Sequence, residues 1–326
     1  MLRRRLLNVF KVAFGLGMLA YIARDVHGAQ LMALARKGNP AHLWAGVGCM
    51  LVAMMYFQWT RLHVLIKGFT NGIATSLKIF YVGALFNNLL PSNIGGDAIR
   101  LIYLKNLRTE NWGTPFMLLL LHRLSGFVVL VLAGLVYVGL EHTRLLSLLE
   151  ARHLLLQLGA RTWLLGGVGL LLVVVLGLFA VRRLSDRVRE RVLGFVRNCR
   201  GAFTVVSGKD FTWLMVHTFL FHGFRMLSFY YLVRYLGQQV SMWDLVFVIS
   251  ATAVAAVLPV TVAGLGVVEG SISGLLAMYG VADSSAVAVA LVNRLVLLLM
   301  AAIGGIVYAA TRDERAQRVP HLEPSA

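Results

Sequence analysis

Residues 80–100 read FYVGALFNNLLPSNIGGDAIR, an apolar run broken by proline and a glycine pair, with Asp97 and Arg100 just beyond. Residues 247–269 read FVISATAVAAVLPVTVAGLGVVE, the same device with Glu269 behind it. Each is followed by a long apolar stretch opened by arginine, RLSGFVVLVLAGLVY from Arg123 and RLVLLLMAAIGGIVY from Arg294. Arg123 stands eleven residues before Gly134 and fourteen before Tyr137; Arg294 stands eleven before Gly305 and fourteen before Tyr308. A Pro/Gly-interrupted apolar segment in corresponding places of two halves points to the binding region of a transporter. The expected fold class is an all-α polytopic integral membrane protein. It has about six full spans plus two Pro/Gly-broken re-entrant helical hairpins in an inverted repeat.

Composition agrees. The 326 residues are 59% hydrophobic and 14% charged, where a soluble domain carries roughly a quarter charged residues. Spans are expected near Leu6–Ala23, Leu43–Thr60, Pro115–Leu140, Trp163–Val181, Phe211–Leu236 and Ser284–Ala310, each near the roughly 20 residues that cross a bilayer. Residues 1–310 read as a single transmembrane domain, with repeat 1 over about 73–140, a basic cytosolic loop over 182–209 and repeat 2 over about 242–310. Residues 311–326 read as a short polar cytosolic tail. The basic, apolar N-terminus lacks a clear cleavage site and reads as an uncleaved anchor helix. Cys49, expected in a helix, and Cys199, expected in the basic loop, suggest neither a disulfide framework nor a metal site.

The net charge of +17 would suit nucleic acid, but the distribution of the charges argues against it. Twenty flanking basic residues, among them Arg3–Arg5, Arg61, Lys67, Lys78 and the 182–209 cluster, fall on one side of the expected spans, against seven on the other. That bias sets both termini in the cytoplasm of a bacterial inner membrane protein. The same parity makes the two broken segments face opposite ways.

Pro91 and Pro259 end their helices, because proline lacks an amide donor and clashes with the preceding turn. Gly95, Gly96, Gly264 and Gly266 allow tight turns and close approach beyond each break. Unwound backbone at membrane depth implies a cavity, and helix N-termini behind it suit an anion. Intramembrane charges each need a reason. Asp97 and Arg100 share one helix face and can pair, and Arg123 and Arg294 stand near the first turns of the long helices. His222 and Arg225 share a face and can meet a phosphate or an acid such as Glu269. Asn87 and Asn88 are placed to satisfy backbone groups freed by the break. The bland readings are a kinked packing helix and arginines that snorkel to headgroups. Residues 141–161 read as an amphipathic interfacial helix. No nucleotide loop, H-E-x-x-H, G-x-S-x-G or Cys/His metal pattern is present in the sequence, so no catalytic residue, cofactor or metal is expected.

The motifs LLPSNIGGDAIRLIYL, the HRLSG helix start and LPVTVAGLGVVEG together resemble the membrane region of lysylphosphatidylglycerol synthases, and the flippase-like UPF0104 membrane proteins in which that region stands alone. The resemblance implies an inner-membrane protein that moves a lipid or lipid-linked headgroup between leaflets. It carries Asp97, Arg100, Arg123, Glu269 and Arg294 over as the polar positions. The sequence ends soon after Ala310, which matches the form without the soluble aminoacyltransferase domain. The partners implied are membrane lipids with an anionic headgroup, and lipid-biosynthesis enzymes such as those of hopanoid pathways. Two alternatives stay open: a membrane glycosyl- or headgroup transferase using Asp97 and Glu269, and a non-catalytic scaffold in lipid biosynthesis.

Overall fold

The computed structural model describes residues 38–70, 72–89, 95–108, 112–151, 190, 194, 205–257 and 264–311. Over these the chain is helical, and no strand occurs among the described residues. Helix α1, Pro40–Ile66, starts where Asn39 Oδ1 accepts the Ala41 N–H at 3.0 Å and Pro40 takes the first helical position, a site where its missing N–H costs nothing. A π-helical turn, Val52–Phe57, widens its middle. Then follow α2, Ile73–Leu89, α3, Gly95–Arg108, and the long α4, Gly113–Ala151. Helix α5 covers Gly208–Tyr235, capped by Ser207, whose hydroxyl accepts the Asp210 N–H. The remaining helices are α6, Met242–Val257, α7, Val267–Met278, and α8, Asp283–Ala310.

Three stretches are long and apolar enough to cross a membrane: α1, the Gly113–Leu148 part of α4, and α8. They contain the expected spans Leu43–Thr60, Pro115–Leu140 and Ser284–Ala310. The stretch Phe211–Leu236 lies in and just past α5, a single helix of 28 residues and so ~42 Å long, but too polar to join those three. The expected spans Leu6–Ala23 and Trp163–Val181 lie outside the described residues. So do Pro91, Pro259, Cys199, the tail beyond Thr311, and loop 182–209 apart from residues 190, 194 and 205–209.

The outer surface is apolar. Leu124, Val128, Leu132, Leu135 and Leu140 of α4 are all exposed, as are Leu295, Leu298, Leu299 and Ile306 of α8. They make apolar stripes along both helices that water would not tolerate and lipid does. Inside, Met50, Leu62 and Ile66 of α1 pack with Phe80 of α2, Phe229 and Val233 of α5 and Ile272 and Leu276 of α7.

The packing of the two halves is reciprocal. Helix α2 lies against α8, and α6 lies against α4, so the first helix of each break packs on the long helix of the other half. Small residues set both contacts. A Cβ on Gly304 of α8 would stand 2.1 Å from the Tyr81 carbonyl oxygen of α2, and one on Gly134 of α4 would stand 2.9 Å from Ser250 Cβ of α6. Tyr137 stacks on Phe247 with ring centroids 5.3 Å apart, and Tyr308 meets Phe86 edge-on at 5.6 Å.

Helices α2 and α3 pack on each other, as do α6 and α7. Gly96 meets Asn87 and Arg100 meets Phe80, so α2 and α3 run antiparallel. Helix α3 has 14 residues and α7 has 12, giving ~21 and ~18 Å of helix against a hydrocarbon core of ~30 Å.

Candidate functional site

Behind the first break, the Gly96 N–H donates to Asn87 Oδ1 at 2.8 Å. One free N–H at the α3 N-terminus is thus satisfied by a side chain of the preceding helix. Asn88 turns back instead, its Nδ2 donating to the Ala84 carbonyl at 3.0 Å. Asp97, in the first turn of α3, accepts from Arg100 Nη1 at 2.9 Å through Oδ1 and from Arg123 Nε through Oδ2. One carboxylate thus holds two guanidinium groups. Arg100 is buried; its Nη2 donates to the Phe80 carbonyl at 3.1 Å and its guanidinium lies 5.5 Å from the centre of the Phe80 ring. Gly83 makes that possible, since a Cβ there would stand 2.2 Å from Arg100 Nε.

The second break is built from different residues to a similar end. Gly264 and Gly266 have φ of +68° and +81°, a left-handed backbone that favours glycine. Gly95 and Gly96 do not adopt positive φ; Gly96 is small because a Cβ would stand 2.1 Å from the Gly83 carbonyl oxygen. Glu269, in the first turn of α7, accepts the Gly266 N–H through Oε2 at 2.7 Å and Arg294 Nε through Oε1 at 2.5 Å. In both halves, then, an acid in the first turn behind the break takes the Nε of an arginine on the long helix. That arginine lies 26 residues further on in one half and 25 in the other.

The two bridges differ in exposure. The side chains of Arg294 and Glu269 are 7% and 0% exposed, whereas those of Arg123 and Asp97 are 40% and 12% exposed. The second bridge is shut away and the first is open. Neither arginine stands near a first turn, as the sequence had suggested. Arg123 is the eleventh residue of α4 and Arg294 the twelfth of α8, because both helices begin well before the arginine and place it within the helix rather than at a snorkelling end.

His222 and Arg225 are not brought to Glu269. His222 lies near Arg61 on α1, which charge counting had assigned to a membrane flank, and Arg225 shares the Phe221 ring with that arginine. Arg61 is buried instead, 3% exposed, because the apolar helix runs on through Val64, Leu65 and Ile66. Its Nε donates to Thr218 Oγ1 at 2.9 Å, and its Nη2 to the His122 carbonyl at 2.9 Å and Ser125 Oγ at 3.0 Å. The residual signal was in the sequence: an arginine followed at once by a further apolar turn is inside a helix, not beyond its end.

A second network is also missed by sequence reasoning. Asp244, buried at the start of α6, accepts Tyr137 O–H at 2.7 Å and both Arg144 Nη1 and Nη2 at 3.0 Å. Tyr279 O–H donates to Tyr137 Oη at 3.0 Å. Arg144 reaches Asp244 because α4 bends at Glu141 (φ −113°, ψ 22°) and continues to Ala151. The segment expected as a separate interfacial helix is therefore, up to Ala151, the bent end of α4; residues 152–161 lie outside the described residues. Asp244→Asn keeps the shape but loses the bidentate charge, and should cost about 2 kcal/mol, against about 1 kcal/mol for Tyr137→Phe. Thermal unfolding of the purified variants in detergent checks the order, and a reversed order would contradict it. Among the described residues no group of three or more His, Cys, Asp or Glu side chains is placed to hold a metal ion.

Long helices with apolar outer stripes, and charged residues collected inside at helix breaks, define a polytopic helical membrane protein. The chain belongs to the lysylphosphatidylglycerol synthase TM region family, whose model matches residues 8–305. It is 23% identical over 293 residues to a UPF0104 membrane protein of Pyrococcus horikoshii, an overlap of 81% of this chain and 84% of that protein. No solved structure matches it.

Proposed function

We propose that the chain moves an anionic or modified lipid between the leaflets of a membrane, by alternate opening of the two breaks. The observation that carries this reading is the pair of equivalent acid–arginine bridges in unequal states. Asp97–Arg123 is partly exposed and Glu269–Arg294 is buried. A carrier with one mouth on each side of the bilayer requires one closed and one open gate at any moment. The reciprocal packing of α2 on α8 and α6 on α4 supports an inverted repeat, in which the halves are related by a pseudo-two-fold axis in the membrane plane. The lysine and arginine bias favours both termini on the cytoplasmic side of an inner membrane. The family's name, which refers to a lysyl lipid synthase, favours a lipid cargo, and the arginines at the breaks favour one with a phosphate or another anionic group.

In this cycle, entry of a headgroup at the open break draws Arg123 from Asp97. The freed carboxylate and the rocking of α3 then loosen the opposite bridge. Acyl chains stay in the bilayer along the apolar stripes of α4 and α8. Proteoliposomes carrying wild-type protein and head-labelled phosphatidylglycerol, aminoacyl-phosphatidylglycerol, glycolipid or phosphatidylcholine test the proposal. A membrane-impermeant quencher should bleach an anionic or modified lipid completely, while protein-free vesicles lose only the outer leaflet. Outer-leaflet loss alone for every lipid would contradict it.

A further inference from the structure

Where α1, α4 and α5 meet, basic side chains gather with no acid among the described residues to balance them. Arg61 is buried and makes three hydrogen bonds, all to neutral acceptors: Thr218 Oγ1, the His122 carbonyl and Ser125 Oγ. Arg225 Nε is buried without a hydrogen-bond partner, and its guanidinium lies 5.9 Å from the Phe221 ring centre. The Arg61 guanidinium lies 5.2 Å from the same ring. His222, next to that ring, has both ring nitrogens buried; the Gly126 backbone is its polar neighbour, yet neither nitrogen completes a hydrogen bond to the protein. His122 Nε2 is buried in the same condition.

The acids are committed elsewhere. Asp97 holds Arg100 and Arg123, Glu269 holds Arg294, Asp244 holds Arg144 and Asp210 holds Lys67. Among the described residues none of these carboxylates is within ion-pair distance of Arg61 or Arg225. A buried guanidinium without a counter-charge is strongly unfavourable, so the arrangement makes sense when an anion completes it. Gly126 lets both groups close on α4: a Cβ there would stand 2.7 Å from Arg61 Nη2 and 3.4 Å from His222 Nε2. The guanidinium and the imidazole thus lie over the same point of the α4 backbone.

We propose that Arg61, His222 and Arg225 form a binding site for the phosphate of a membrane phospholipid, separate from the two acid–arginine bridges. Phosphodiester oxygens suit guanidinium donors, and Arg225 Nε and the His222 ring are what the protein's own hydrogen bonds leave over here, beside the positive charge of Arg61. The imidazole serves as donor to the same group. Next to Ser125 and Gly126, which face inward, Leu124 and Val128 of α4 face outward. A lipid whose phosphate reaches this cluster thus keeps its chains on the apolar face of α4. This site deepens the translocator reading and rests on it for its role, but occupancy does not require transport.

The test is equilibrium binding of radiolabelled phosphatidylglycerol to purified full-length protein in detergent micelles, with competition by unlabelled phosphatidylglycerol, diacylglycerol, glycerol 3-phosphate and inorganic phosphate. Wild type should bind saturably, and Arg61→Gln and Arg225→Gln should each weaken binding about tenfold or more. Arg234→Gln, at an exposed arginine that bonds Tyr230, should bind like wild type. Diacylglycerol should not compete; competition by the soluble phosphates at the same concentrations as lipid would overturn a lipid ligand in favour of a free phosphate. Should a variant fail to fold, a phosphatidylglycerol bearing a photoreactive headgroup reports on the wild type. It should label the segments around residues 58–66 and 218–225, and labelling confined elsewhere would overturn the site, as would unchanged affinity in both arginine variants. Binding without leaflet exchange would retire the transporter reading and leave the site standing. Leaflet exchange with unaltered binding in the variants would do the reverse.

Discussion

Glu269→Gln should lower folding stability by about 3–5 kcal/mol, the cost of stranding one member of a buried ion pair. Glu269 is wholly buried, takes Arg294 at 2.5 Å and caps α7 through the Gly266 N–H. The amide keeps an oxygen for one of these contacts but leaves the guanidinium without a counter-charge. Arg294→Gln should act in the same direction. The double variant Glu269→Leu/Arg294→Met should recover to within about 1 kcal/mol of wild type or exceed it, because apolar replacement removes both desolvation penalties together. Unfolding of wild type, this double variant and its two constituent singles, Glu269→Leu and Arg294→Met, in one detergent forms a double-mutant cycle. A double variant that loses the sum of the two singles would show that the pair is not the coupled unit described here.

The second large effect belongs to neighbouring glycines. Gly304→Ala places a Cβ 2.1 Å from the backbone oxygen of Tyr81, which cannot swing aside, whereas at Gly305 the nearest atom is Leu85 Cδ1 at 3.8 Å. Overpacking of this kind costs about 1–3 kcal/mol or more, and here it also pushes α8 off α2, a contact that joins the two halves. Gly305→Ala should instead be neutral or slightly favourable, since alanine is the better helix former by about 1 kcal/mol. Thermal midpoints of the two variants, one residue apart, decide the matter. Equal midpoints would contradict the packing.

That contrast also bears on what the sequence carried. The repeat was legible because its spacing is covalent: Arg123 to Tyr137 and Arg294 to Tyr308 repeat whatever the fold does. Spacing aligned Gly134 with Gly305, yet the close contact falls on Gly304, since helix rotation is decided by packing and not by alignment. Asp97 and Arg100 were readable as a pair because i and i+3 share a helix face. The bridges from Asp97 to Arg123 and from Glu269 to Arg294 were not, because contacts across 25 or 26 residues depend on how helices dock. Arg61 was misplaced for a local reason. Charge ended the apolar window at Thr60, although the helix carries on to Ile66. The Asp244–Tyr137–Arg144 network was hidden by the bend at Glu141, a residue that is itself neither glycine nor proline.

The central claim is that the two bridges are alternating gates on one lipid path. The most direct test is leaflet exchange of head-labelled phosphatidylglycerol in proteoliposomes containing wild type, Asp97→Asn, the Glu269→Leu/Arg294→Met double variant, or Arg234→Gln. Wild type and Arg234→Gln should exchange the lipid at the same rate. Asp97→Asn and the double variant, both recovered as folded monodisperse protein, should be slower by about tenfold or more. Exchange at the wild-type rate in both gate variants would contradict the account.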